Sequence, residues 1–158
     1  MAWRDARPDD VVEVHRLVRG LAEYEKLLPE FRATPQDFAE ALFGARPVAQ
    51  AMLAEVGGAA AGVCLWYRIF ASFAGRPALW VEDVFVEPAH RRQGLGLAAF
   101  RLLAARAVDE GCAALEWNVL DWNAPAIAAY RAMGAVARDG WTDQRVSGDA
   151  LISLAGRG

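Results

Sequence analysis

Val84-Phe85-Val86-Glu87-Pro88-Ala89-His90-Arg91-Arg92-Gln93-Gly94-Leu95-Gly96 runs from an apolar, β-branched segment through a short polar loop into the start of a helix. The first few N–H groups of a helix have no intrahelical acceptor, and the helix dipole adds partial positive charge at the same end. Gly94 and Gly96 let the backbone close around an anion with no Cβ in the way, and Arg91 and Arg92 add full charge. A diphosphate suits such a place. A bare Gly-x-Gly is mostly an ordinary turn before a helix, whereas Arg-x-x-Gly-x-Gly after an apolar strand is far more specific. No Gly-Lys-Ser/Thr follows, so this is not a P-loop, and the third glycine of a dinucleotide fingerprint is missing.

The elements around this segment follow from period and punctuation. Leu79 to Val86 reads as a largely buried strand, rich in aromatic and branched residues. Residues 48–56 and 59–69 read as two strands about the Gly57-Gly58 turn, and Phe73-Ala74-Gly75-Arg76-Pro77 as a loop. Residues 2–7 make a short first strand. Asp9 and Asp10 precede Val14, Leu17, Val18 and Leu21 at helical spacing. Thr34-Pro35-Gln36-Asp37 opens a second helix that ends near Gly44. Gly94 to Glu110 is the clearest helix, with Phe100, Leu103, Ala104, Ala107 and Val108 on one stripe. Residues 113–119 read as a strand. Asn123 caps a last helix that has Pro125 in its first turn and Gly134 at its end. Two short strands finish the chain, the last near Ala150 to Leu154. The pattern is a mixed α/β sheet with helices on its faces.

Bulk composition narrows the function classes. A chain of 158 residues suits one domain, taken as 1–158, and 55% hydrophobic residues argue against disorder. With 17 Lys+Arg against 20 Asp+Glu and a net charge of −3, the chain is a poor binder of nucleic-acid backbones. Cys64 and Cys112 lie far apart in apolar surroundings and read as core thiols, with no metal spacing and no disulfide framework. Met1-Ala2-Trp3-Arg4-Asp5 has no signal-peptide run, and the longest apolar stretch, around Ala59 to Tyr67, is too short to span a bilayer. The expectations are a cytoplasmic protein with no metal, no nucleic-acid partner and no membrane.

Arg91-x-x-Gly94-x-Gly96 resembles the diphosphate motif of the GNAT family of N-acetyltransferases. Leu21-Ala22-Glu23-Tyr24-Glu25, Leu79-Trp80-Val81-Glu82-Asp83-Val84-Phe85-Val86, and Leu120-Asp121-Trp122-Asn123 with Tyr130 look like the spermidine/spermine (diamine) and thialysine acetyltransferase branch. The resemblance implies an α/β (α+β) GNAT fold, with a mixed sheet of about six to seven strands flanked by about four helices. It implies acetyl-CoA as donor, held by Arg91, Arg92, Gln93, Gly94, Leu95, Gly96 and Leu97 and along the backbone of Val84, Phe85 and Val86, with Asn123 and Tyr130 as further contacts. It assigns Tyr24, Glu25, Glu82, Asp83 and Asp139 to the amine substrate, and it implies a homodimer.

The chemistry needs two proton movements. Amine attack on a thioester expels a thiolate, which a nearby phenol can protonate, and the resemblance gives that role to Tyr130. Asn123 and Tyr130 lie about two helical turns apart, so one face carries both; the plain alternative packs Tyr130 beside Ile127 and Met133. The amine arrives as an ammonium, with a reference pKa of about 10.4, and must lose a proton; Glu82, acting through ordered water, is the expected acceptor. Adjacent strand residues point to opposite faces, so Glu82 and Asp83 share a pocket only if a bulge re-aims one of them. Otherwise one of the two is a structural acid. Polyamine enzymes carry an acid in the loop matching Ala71-Ser72-Phe73, and its absence leans toward a shorter amine or an amino acid side chain. Two rivals stay open: an acetyltransferase of protein N-termini or lysines, and a non-catalytic acyl-CoA-binding module.

Overall fold

The computed structural model describes residues 2–157. The chain gathers into two compact units, Met1–Asn123 and Ala124–Gly158. The first unit holds a mixed sheet in the order β1 (Ala2–Asp5), β2 (Gln50–Val56), β3 (Ala59–Ala71), β4 (Arg76–Val86) and β5 (Leu115–Glu116). Neighbours from β1 to β4 are antiparallel, and β5 joins β4 in parallel. The same unit carries α1 (Val11–Tyr24), α2 (Pro35–Phe43) and α3 (Leu95–Asp109).

Directly paired residues share a face of the sheet, so Leu53, Val63 and Phe85 line one side. There they cluster with Val14, Leu17, Val18 and Leu21 of α1 and with Phe38 and Leu42 of α2. Met52, Cys64 and Trp66 alternate onto the other side. On that side the Arg106 guanidinium of α3 lies 5.2 Å from the Trp66 ring centre, and Trp3 Nε1 donates to the Leu95 carbonyl at 3.0 Å. α1 and α2 therefore cover one face, and α3 covers the other.

Helix ends follow their local sequence. Thr34 and Asp37 form a reciprocal capping box: Thr34 N–H donates to the Asp37 carboxylate at 2.7 Å, and Asp37 N–H to Thr34 Oγ1 at 3.3 Å. α3 ends in a Schellman motif, with Cys112 N–H on the Ala107 carbonyl and Gly111 N–H on that of Val108. α1 ends in the same bond pattern around Lys26, a non-glycine residue at φ +62°.

Several expectations are corrected. The sheet has five strands among the described residues, not six to seven. The 113–119 segment pairs only at Leu115 and Glu116, and Arg76 and Pro77 belong to β4, so the loop is a turn at 72–75. The two terminal strands are absent from the described residues: after α4 (Ala124–Ala132) the second unit forms α5 (Gly148–Leu154), so α4 is not the last helix. A run as short as Ala150 to Leu154 satisfies either period, and Asp149 in the first turn favours the helix through its dipole. Within that unit Ile127, Tyr130 and Met133 are half-buried along α4, which closes at Gly134 through Ala135 N–H on the Tyr130 carbonyl at 3.0 Å.

Candidate active site

The link from β4 to α3 forms the cradle anticipated from sequence. Arg92 (φ +61°) and Gly94 (φ +80°) are both left-handed and flank Gln93. Gly94 is the N-cap of α3 and offers no side-chain cap, so the N–H groups of Leu95, Gly96 and Leu97 open the helix without intrahelical acceptors. Ala98 N–H closes the first turn on the Gly94 carbonyl at 2.9 Å. A Cβ built on Gly94 or Gly96 meets no heavy atom within 4 Å, so the space before these amides is open. Open space in front of convergent N–H groups is what a diphosphate requires, and the residues fit that group.

Arg91 is positioned at the rim. Its Nε donates to the Val86 carbonyl at 2.9 Å, and its guanidinium lies 4.6 Å from the Tyr24 ring centre and 5.6 Å from that of Phe85. The stacking leaves both Nη groups to meet an anion. Phe85 is in turn held close to α1: a Cβ on Gly20 would stand 3.0 Å from its Cε1.

β5 accompanies β4 only at Leu79 and Trp80. From Val81 to Val86, β4 pairs with β3 on one side, and no strand of the described sheet occupies the other. That edge can accept a strand-like ligand carrying amides. The Phe85 side chain belongs to the core, so Val84, Phe85 and Val86 offer their backbone.

A bulge gathers the acids. Leu65 pairs with Asp83 but Trp66 pairs with Val81, so Glu82 is an extra residue in β4. Asp83 thereby shares the α1 face with Leu65, and Glu82 turns to the same side, where Tyr67 Oη and Trp80 Nε1 both donate to its Oε2 at 3.1 and 2.9 Å. Burial, with Glu82 and Glu25 nearby as like charges, pushes the Asp83 carboxyl up to about 7. Burial raises the Glu25 carboxyl as well. Tyr67 is pushed up to about 12 by burial, by Glu82 and by Asp83. Cys64 is driven far up by burial and by Asp83, so no thiolate nucleophile forms there.

Tyr24 bridges two parts of the site. Beside its stack on Arg91, its hydroxyl donates to Asn123 Oδ1 at 3.3 Å, and its ring lies 6.0 Å from that of Trp122. Asn123 is buried, and Lys26 lies 5.2 Å above the Trp122 ring. The first unit thus brings together Tyr24, Glu25, Glu82, Asp83, Val84 to Val86, Arg91 and Asn123. Tyr130 and Asp139 belong to the second unit, Tyr130 half-buried on α4 and Asp139 exposed beside Gly140. Sequence reasoning missed the two donors on Glu82 and the Lys26–Trp122 contact. The one available signal was Trp80 standing two residues before Glu82.

Residues 14–135 match the sequence model of the acetyltransferase (GNAT) family. The chain belongs to that family. A thialysine N-epsilon-acetyltransferase of Sus scrofa is 33% identical over 165 residues, covering 98% of this chain and 96% of the relative. An L-ornithine N5-acetyltransferase of Arabidopsis thaliana is 28% identical over 196 residues, covering 96% of this chain and 86% of the relative. An integron cassette protein from the mobile metagenome of V. cholerae shares the fold at a TM-score of 0.81, with 22% identity over 98% of this chain and 96% of that one. This GNAT chain is an N-acetyltransferase, and the family's donor is acetyl-CoA. Among the described residues no group of His, Cys, Asp or Glu could hold a metal ion, and no helix is long and apolar enough to cross a membrane.

Proposed function

We propose that this GNAT enzyme moves the acetyl group of acetyl-CoA to the primary amine of a small molecule, an amino acid side chain or short diamine, by direct attack in a ternary complex. The observation that carries the reading is the bulge at Glu82, which turns two carboxylates to one face, with Glu25 near, beside the open edge of β4. Three acids in one place attract a cationic amine, and the edge holds the thioester arm alongside. The amides of Leu95, Gly96 and Leu97, with Arg91, Arg92 and Gln93, bind the diphosphate; the backbone of Val84 to Val86 binds the pantetheine amides. Glu82, fixed by two donors, anchors the ammonium. Tyr24 and Glu25 line the amine's path and Asn123 contacts coenzyme A; the family resemblance adds Asp139 as an amine contact and Tyr130 as the acid that protonates the departing thiolate.

Two further points support a short acceptor. Both relatives described above are named for the side-chain amine of an amino acid. The turn between β3 and β4 carries no acid at Ala71-Ser72-Phe73 to hold the far end of a long polyamine. A single catalytic domain over 1–158, a homodimer and a cytoplasmic setting belong to the same proposal; the family match itself runs past residue 123.

An amine panel with acetyl-CoA, read by release of the coenzyme A thiol, tests the reading. Thialysine, ornithine and lysine should turn over faster than spermidine or a short peptide, and Tyr130→Phe should lower kcat. Acetyl-CoA binding without thiol release on any amine would point instead to a non-catalytic module.

A further inference from the structure

We infer that Asp83 takes the proton from the substrate ammonium, while Glu82 only holds that ammonium in place. The inference rests on the acetyltransfer reading and moves the acceptor role from Glu82 to its neighbour. The two carboxylates are equivalent in sequence but not in the fold. Glu82 is exposed, and its Oε2 accepts from both Tyr67 and Trp80. Those two donors fix the Glu82 carboxylate in place and occupy Oε2, which suits an anchor. Among the described residues Asp83 has no such bond; it is recessed opposite Leu65 on the face covered by α1, with Glu25 at the end of that helix and Glu82 beside it. The titratable groups around it are these two acids and, from β3, Tyr67 and Cys64, both of which feel its charge.

The consequence for proton transfer is large. From an ammonium near 10.4, transfer to a carboxyl near 7 has an equilibrium constant of about 10⁻³·⁴; to a carboxyl at the reference aspartate value of 3.9 it is about 10⁻⁶·⁵. Burial works in the same direction once substrate is bound, because it disfavours the ion pair relative to neutral amine and carboxylic acid. The step balances. The ammonium gives one proton to the Asp83 carboxylate, and the freed lone pair bonds to the thioester carbonyl carbon as the C–S bond breaks. The sulfur takes a proton from the Tyr130 phenol, which the nitrogen's second proton restores. Asp83 returns its proton to water, so each turnover releases one.

The test is the pH dependence of kcat/KM on the full chain, with acetyl-CoA and thialysine, followed by thiol release. Wild type should rise through an acid limb near pH 7. Asp83→Asn should lose that limb and ~10²–10⁴-fold of kcat. Glu82→Gln should raise KM for the amine and keep the limb, moved to lower pH because one like charge is gone. Glu25→Gln should move the limb the same way, and it carries the test if Asp83→Asn does not fold by circular dichroism. A limb that survives Asp83→Asn, or one that stays put in Glu25→Gln, overturns the assignment while leaving acetyltransfer intact. A wild type that binds acetyl-CoA but releases no thiol with any amine of the panel sinks the acetyltransfer reading, and this inference with it.

Discussion

Replacing Gly96 with alanine should make the protein more stable and a worse binder of acetyl-CoA. Gly96 lies in the first turn of α3 outside the left-handed range, and an added Cβ touches nothing within 4 Å. No strain opposes the methyl, so the helical gain of alanine over glycine, about 0.5–1 kcal/mol, is available in part through a less flexible unfolded chain. For a chain of 158 residues that is a rise in Tm of roughly 1–4 °C. The same empty space is where a diphosphate oxygen must come within hydrogen-bond distance of the amides. A methyl there lengthens at least one charge-assisted bond, worth about 1.5–3 kcal/mol, so Kd should weaken by roughly 10- to 150-fold. Gly94→Ala provides the contrast: at φ +80° alanine costs about 1–2 kcal/mol, and stability and acetyl-CoA affinity should both fall. Calorimetric titration with acetyl-CoA beside urea denaturation reads both axes. A Gly96→Ala protein that is stabilised yet binds acetyl-CoA with the wild-type Kd would remove the cradle from the mechanism.

Other substitutions probe the remaining links. Asp83 binds its proton more tightly folded, near 7, than unfolded, near 3.9. The native state therefore holds more protons between these values, and stability is fully present below pH 4 and declines as pH rises through 7, by at most ~4 kcal/mol before solvent screening is discounted. Asp83→Asn should accordingly melt above wild type at pH 8, with the gap closing toward pH 4; parallel Tm–pH curves would refute this. Tyr24→Phe keeps the ring on Arg91 and loses only the bond to Asn123, whereas Tyr24→Leu loses both, so acetyl-CoA affinity should drop clearly further in the second. Equal affinities would mean that the stack does not position Arg91. At Gly62 a Cβ would stand 2.9 Å from the Phe85 carbonyl oxygen, so Gly62→Ala should destabilise by about 1–3 kcal/mol in denaturant titration.

What the sequence reveals here divides along the range of the interaction. The Arg91 to Gly96 cradle, the Thr34 capping box and the Gly134 stop are encoded within a few residues, and each forms where its residues stand. The bulge was half legible: two adjacent acids that must serve one pocket demand a break in strand alternation. Its donors were not, because bringing Tyr67 to Glu82 requires the register between β3 and β4, set across a hairpin. Tyr24 on Asn123 and Lys26 on Trp122 lie further still from local pattern, joining segments almost a hundred residues apart. At the other extreme, Ala150 to Leu154 was misread because five residues are too few for the period to choose between helix and strand.

The bulge also accounts for the open edge. β5 follows β4 through Leu79 and Trp80, and the extra residue comes two positions later. An inserted residue bends its strand and tightens the local twist, so a parallel neighbour that fits before the insertion diverges after it. The same Glu82 therefore brings both acids to the α1 face and leaves the backbone of Val84 to Val86 without a neighbouring strand on that side. On the proposed reading, substrate anchor, proton acceptor and donor groove all descend from one residue in excess. Deleting Glu82 from β4 should thus do more than Glu82→Gln: it should restore regular pairing with Asp83 still opposite Leu65 on the α1 face, and weaken acetyl-CoA binding together with amine binding. A deletion that lost only amine binding would show that the groove opens for a reason independent of the bulge.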